Sequence, residues 1–244
     1  MRCYNEGVER LVLGARALGI RLSAEQVQRF QRYTRELLEW NRRVNLTAIT
    51  DPAEVEVKHH LDSLSAAMAL PPEVREGGRV VDVGAGGGFP GLPLKLAFPA
   101  LRLALVESVR RKTAFLEHVV RALGLEGVEV LTGRAEELAH RPTLREGFDA
   151  ALARGLAALP ELLELTLPFC RVGGLVVAHK KGDIAAELAG AATALRELGG
   201  RLREVVPVRL EGLEDDRVLV VVEKVGRTPP RYPRRPGMPH KRPL

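Results

Sequence analysis

The residues in this chain best placed to do chemistry are Val80-Val81-Asp82-Val83-Gly84-Ala85-Gly86-Gly87-Gly88-Phe89-Pro90-Gly91. An apolar strand-like run passes straight into a glycine turn, and an acid stands two residues before the first glycine. Glycine tolerates positive φ and lets a ligand approach the backbone closely, so the segment reads as a cradle for a nucleotide-like cofactor. A second acid, Glu107, closes the next strand-like run 23 residues after Gly84. At that place a carboxylate can take both hydroxyls of a ribose. A third segment, Gly133-Arg134-Ala135-Glu136, follows the third strand. Its acid suits either an adenine amino group or the first turn of a helix, where the dipole favours negative charge.

Two registers fit the glycines. Gly86, Gly88 and Gly91 satisfy the G-x-G-x-x-G spacing of a dinucleotide pyrophosphate site. Asp82-Val83-Gly84-Ala85-Gly86-Gly87-Gly88 instead matches the acidic-x-G-x-G-x-G pattern of S-adenosylmethionine-dependent methyltransferases. A carboxylate just before the turn suits a cofactor bearing a cationic amino acid, and it would set negative charge beside a pyrophosphate. Glu107 is compatible with both.

The elements that must position these groups separate the readings. Residues 1–70 carry helical signals only: Val8, Leu11, Val12, Ala15 and Leu18 share one face, Ser23 with Gln26 makes a capping box, and Asp51-Pro52-Ala53-Glu54 opens a third helix to about Met68. After Pro71-Pro72, strands alternate with helices. Strands are expected at 79–83, 101–106, 128–131, 148–153, 174–178, 202–208 and 218–224, with helices at about 91–98, 110–123, 135–140, 159–169 and 183–198. Such alternation makes a parallel sheet with right-handed crossovers. The connector Arg209–Arg217 is too short for a crossover helix, so the seventh strand is expected to run antiparallel. Plain dinucleotide-binding sheets lack that strand, which favours a seven-stranded Rossmann-like methyltransferase sheet.

The chain has 244 residues, 45% apolar and 28% charged, which excludes wholesale disorder and rod-like repeats. No apolar run approaches the roughly 18 residues of a membrane span, and the N-terminus lacks the apolar core of a secretory signal. Cys3 and Cys170 stand alone and no His cluster has zinc spacing, so no metal is expected and a cytoplasmic home follows. The net charge of +6 resides wholly in residues 227–244, which hold Arg227, Arg231, Arg234, Arg235, Lys241 and Arg242 with six prolines and no acid. The chain thus divides into an N-terminal helical region (1–70), a cofactor-binding domain (71–226) and a basic tail (227–244). The tail is expected as an extended arm reaching on the order of 55 Å.

Asn45-Leu46-Thr47, His60-Leu61-Asp62-Ser63-Leu64, the glycine loop with its Phe89-Pro90-Gly91 ending, Glu107-Ser108 before Lys112, Phe115-Leu116, Arg134-Ala135-Glu136, Arg154, Lys181-Gly182 and Arg231-Tyr232-Pro233-Arg234 together resemble the RsmG/GidB family. These matches run from residue 41 to 235. Ala85, Gly87 and Gly155 depart from the family's commoner Ser, Ala and Ala. The resemblance implies methylation of guanine N7 in 16S ribosomal RNA of the small subunit. It places Gly84, Phe89, Glu107, Ser108, Val109, Ala135, Glu136 and Arg154 in the cofactor pocket, beside Asp82, Gly86 and Gly88 from the glycine pattern.

Guanine N7 carries a free lone pair, so no proton must leave and no catalytic base is expected. His60 reads as a structural histidine. Arg110, Arg111 and Lys112 follow the second strand and Lys180 with Lys181 the fifth, on the ligand edge of the sheet. With Arg231, Arg234 and Arg235 of the tail they are the RNA-phosphate candidates, each also readable as a solvated face. Competing readings are a methyltransferase acting on protein or a small molecule, a non-catalytic RNA-binding assembly factor, and an NAD-dependent dehydrogenase, the last disfavoured by Asp82.

Overall fold

The computed structural model describes residues 2–244, with side chains from residue 8 onward except that of residue 214; the Cys3 side chain lies outside the described residues. Helices α1 (Arg2–Ala17) and α2 (Ala24–Asn41) precede the sheet. The expected capping box holds: Gln26 N–H donates to Ser23 Oγ and Ser23 N–H to Gln26 Oε1, at 3.2 and 2.8 Å.

The expected third helix is a composite. Asp51 caps α3 (Pro52–Val55), accepting from Ala53 and Glu54 N–H; a π-helical segment follows (Glu56–Leu61), then α4 (Asp62–Leu64) and a 3₁₀ turn (Ser65–Met68). The wide π turn points Glu56 and His60 into the interior. Thr34 Oγ1 donates to Glu56 Oε1 at 2.8 Å and lies 2.9 Å from His60 Nε2. His60 is fully buried between Phe30 and Tyr33, as a structural histidine should be.

After α5 (Pro72–Arg75) come β1 (Arg79–Val83), α6 (Gly91–Ala97), β2 (Arg102–Glu107), α7 (Arg110–Ala122), β3 (Val128–Thr132), α8 (Ala135–Leu138) and β4 (Phe148–Arg154). Then follow α9 (Leu159–Thr166), β5 (Cys170–Lys181), α10 (Ala185–Gly190), α11 (Ala192–Leu198), β6 (Gly200–Leu210), β7 (Leu213–Lys224) and α12 (Met238–Lys241). The strand order is β3-β2-β1-β4-β5-β7-β6. β1 to β5 pair in parallel, and β7 runs antiparallel between β5 and β6. The last hairpin is tighter than the expected connector. Its ladder with β5 reaches Lys181 and Arg217, and both of these side chains pair with Asp215.

Side chains alternate between two cores. Val80, Leu103 and Leu105 face the N-terminal helices, α6 and α7; Val81, Val83, Ala104 and Val106 face the α8–α11 side. The N-terminal helices therefore share one core with a face of the sheet.

The tail is not the extended arm expected from its prolines. Tyr232 is buried, and Arg145 donates to the carbonyls of Thr228, Pro229 and Tyr232 at 2.9–3.1 Å. Arg234 makes a two-pronged pair with Glu164, which is fully buried on α9, at 2.6 and 2.9 Å. The tail lacks acids of its own, and the electrically neutral body supplies them.

Candidate active site

The glycine turn leaves β1 at the carboxyl edge of the sheet. Gly84, Gly86 and Gly88 take φ of 74°, 56° and 92°, the left-handed region that favours glycine. The Gly84 and Ala85 N–H groups both donate to the Val106 carbonyl at 2.9 and 3.0 Å, tying the turn to β2. Glu107 lies across the mouth of the turn: its Oε2 accepts from Gly86 N–H at 3.0 Å and its Oε1 from Val109 N–H at 2.8 Å. A carboxylate has lone pairs to spare beyond those two bonds. A side chain at Gly84 would collide with the Leu156 side chain at 2.6 Å, and one at Gly88 with Leu92 and the Tyr33 hydroxyl, whereas at Gly86 it would meet only the Gly84 carbonyl oxygen, at 3.8 Å. The turn thus presents open backbone at Gly86. Ser108 and Val109 stand exposed beside it.

Asp82 acts first as a brace. It is fully buried, and its Oδ2 accepts from Gly91 N–H at 2.8 Å, fixing the start of α6. Its Oδ1 is buried with no partner among the described residues. Burial pushes its pKa up to about 7, against the opposing pull of Gly91 N–H and the Arg154 guanidinium. Ala135 and Glu136 are buried at the start of α8. Glu136 Oε1 accepts from Arg134 at 3.0 Å and from Gly237 N–H of the tail at 3.1 Å. Burial would raise its pKa, but these donors and its own N–H hold it below the usual carboxylate value.

Phe89 is nearly buried between two rings, stacked on Tyr33 (centroids 5.3 Å apart) and His59 (4.6 Å). The Tyr33 hydroxyl donates to the Gly87 carbonyl. Arg154 ends β4 with its guanidinium 5.0 Å over the Phe89 ring, and bonds Asp62 Oδ2 at 2.7 Å and His59 Nδ1 at 3.1 Å. Asp62 also takes Arg217 from β7 at 2.7 Å. Burial alone would raise the Asp62 pKa; the His179 ring and both guanidiniums more than reverse it.

Beyond this cluster opens a cavity of about 880 Å³ between the N-terminal helices and the ends of β4, β5 and β7. Its lining includes Arg10, Lys58, His59, Arg154, Lys181 and Arg217.

The RNA candidates scatter. Arg110 and Arg111 are exposed at the start of α7, on the cofactor edge, with no ion pair among the described residues, and Lys112 is half-buried beside them. Lys181 is exposed and pairs with Asp215. Lys180 does not face solvent as expected: its Nζ donates to the Ala157 carbonyl and pairs with Glu187, both at 2.7 Å. Arg234 is likewise committed to Glu164, and Arg231 pairs with Glu197 at 2.7 Å; Arg235 stays exposed.

Residue patterns gave no signal for Tyr33, His59 and Arg217 as parts of this edge, because their partners lie tens to hundreds of residues away. The nearest clue was the His59-His60 pair beside Asp62.

Among the described residues no His, Cys, Asp and Glu group is arranged to hold a metal, and no helix is long and apolar enough to cross a membrane. The fold resembles a mutant of MtNAS solved with S-adenosylmethionine (TM-score 0.55, 19% identity, 82% of this chain and 73% of that one). It also resembles the Methanococcus jannaschii fibrillarin pre-rRNA processing protein (TM-score 0.52, 18% identity, 67% of this chain and 75% of that one). At these identities the likeness concerns the fold: a Rossmann-like methyltransferase sheet with its last strand antiparallel. Sequence similarity reaches further. Ribosomal RNA small subunit methyltransferase G of Dehalococcoides mccartyi strain CBDB1 is 48% identical over 97% of this chain and all of its own length. That of Moorella thermoacetica is 48% identical over 93% of both chains. Residues 26–212 match the GidB family model, described as rRNA small subunit methyltransferase G. On the glycine turn, the sheet order and these matches, the chain belongs to the GidB family of small-subunit ribosomal RNA methyltransferases.

Proposed function

We propose that the chain transfers the methyl group of S-adenosylmethionine to N7 of a guanine in 16S ribosomal RNA of the small subunit. The observation that carries the cofactor assignment is the orphaned Asp82 Oδ1, buried behind a glycine turn whose backbone is open at Gly86. A cationic amino group satisfies that oxygen, and a pyrophosphate would be repelled by it. Glu107 then takes the ribose hydroxyls, and the Ala135-Glu136 segment borders the adenine. When bound, the cofactor supplies an electrophilic methyl on a sulfonium.

The residues present suit a reaction without a base. The N7 lone pair forms the new N–C bond while the C–S bond breaks and sulfur keeps its pair, so no proton moves. The protein's work is to align the two centres, which intramolecular models value at up to roughly 7–11 kcal/mol. Arg110 and Arg111 are free to meet RNA phosphates beside the site. Incubation with methyl-labelled S-adenosylmethionine and small ribosomal subunits or free 16S RNA, followed by mapping of the modified base, tests the reading. Label is expected as 7-methylguanosine at one position. Label in protein, at another ring atom or nowhere overturns it.

A further inference from the structure

The cavity of about 880 Å³ lies beside the cofactor cradle, sharing Arg154 with it but lined by none of the glycine turn, Glu107 or Ala135-Glu136, and is walled by elements from both ends of the chain. We propose that it receives the acceptor nucleotide of the RNA, with the base on the His59–Arg154 floor and flanking phosphates on Arg10, Lys58 and Lys181 at the rim. This assignment rests on reading the protein as an RNA-base methyltransferase.

The volume falls in the range of about 300–1,000 Å³ typical of small-ligand sites, enough for one nucleotide and its neighbouring phosphates. The floor adjoins the methyl-donor side. His59 stacks on Phe89 and Arg154 lies over the same ring, and Phe89 belongs to the glycine turn. A base resting there is therefore one side chain from the turn.

The floor is also rigid and electrically defined. Burial and the Arg154 guanidinium hold the His59 pKa down to about 3, so its ring is neutral at pH 7. Its Nδ1 accepts from Arg154, which leaves Nε2–H to donate to Thr47 Oγ1 at 2.7 Å. Arg154 and Arg217 share Asp62, with side chains 16% and 9% exposed, so neither is free to follow a phosphate.

The rim has the opposite character. Arg10, Lys58 and Lys181 come from α1, the π-helical segment and β5, three elements that converge only in the fold. Arg10 is exposed with no ion pair among the described residues. Lys58 pairs with Glu54 and Lys181 with Asp215, both in half-exposed or exposed pairs. Such pairs hold their partners weakly and exchange readily for phosphate.

The test is the triple variant Arg10→Ala, Lys58→Ala, Lys181→Ala, assayed with small ribosomal subunits and titrated separately with S-adenosylmethionine. The KM for RNA is expected to rise at least about tenfold, and the slope of log affinity against log salt to become shallower by about 2 for three single-strand phosphate contacts. Cofactor Kd should stay within about twofold, which also shows that the variant is folded. Unchanged KM and salt slope overturn the assignment. An equal loss of cofactor affinity overturns it too, because the rim would then be a cofactor wall. If the wild-type protein places no methyl on RNA, the function fails first and the cavity assignment falls with it.

Discussion

At the start of α7, Arg110 and Arg111 stand exposed with no ion pair among the described residues, whereas in the tail Arg234 grips a fully buried Glu164 and Arg231 leans on Glu197. Composition treats the two stretches alike, and even favours the tail, which holds the whole net charge. The fold narrows that difference: Arg231 and Arg234 are paired, while Arg227, Arg235, Lys241 and Arg242 stay exposed with no ion pair among the described residues. Charge far from any acid in sequence can be neutralised by acids close in space. The start of α7, in a body that is electrically balanced as a whole, keeps solvent-facing cations beside the cofactor cradle. Availability for RNA is set by which acids the fold brings near as well as by the count.

The comparison breaks most visibly if the tail is removed. Deleting residues 227–244 is expected to cost on the order of 5 kcal/mol, from about 2 for the lost burial contributed by Tyr232 and about 3 for stranding Glu164. It should also weaken S-adenosylmethionine binding, because Gly237 N–H no longer holds Glu136. Urea unfolding and calorimetric titration measure both; a truncated protein with full stability and cofactor affinity would mean the tail is a free arm after all.

Arg234→Ala alone should lose about 3 kcal/mol of unfolding free energy, since it leaves a buried carboxylate without its counter-ion. The double variant Arg110→Ala, Arg111→Ala should stay within about 0.5 kcal/mol of wild type. Its KM for small ribosomal subunits should nevertheless rise several-fold, with a shallower salt dependence. If instead Arg234→Ala proves the weaker RNA binder and the α7 variant the less stable protein, the contrast is inverted.

The smallest effect concerns pH. Asp82, whose ordinary value lies near 3.8, is pushed up to about 7 by burial. The folded protein therefore binds a proton there that the unfolded chain releases between those values. This carboxyl's contribution to stability is complete at low pH and is lost as pH rises through about 7. A cationic ligand group favours the ionised form, so S-adenosylmethionine affinity should climb with pH over the same window, by at most about tenfold per unit. Asp82→Asn should flatten that climb. A pH-independent wild-type Kd would remove Asp82 from the amino-group site.

Local features were legible in the sequence because local rules make them. The capping box at Ser23, the glycine turn, Glu107 at the end of β2 and the antiparallel β7 each follow from spacing over a few residues. Features made by distant pairing were not. Lys180 and Arg234 look like surface cations until Glu187 and Glu164 are folded against them. Arg217 lies in a charged stretch that reads as loop, yet it extends β7 and reaches Asp62 across the sheet edge. Phe89 alone reads as core, and it is buried, but its neighbours Tyr33 and His59 come from segments that periodicity treats as helix and nothing more.

Phe89 has a thermodynamic consequence. Its backbone belongs to the glycine turn, while its ring is clamped by side chains from the N-terminal helices that wall the cavity. A ligand that resets the turn must do work on that wall, and a ligand that resets the wall must do work on the turn. Whatever factor the cofactor imposes on acceptor affinity, the acceptor returns to cofactor affinity in equal measure. One aromatic ring thus gives the two sites a shared element through which each can alter the other's affinity.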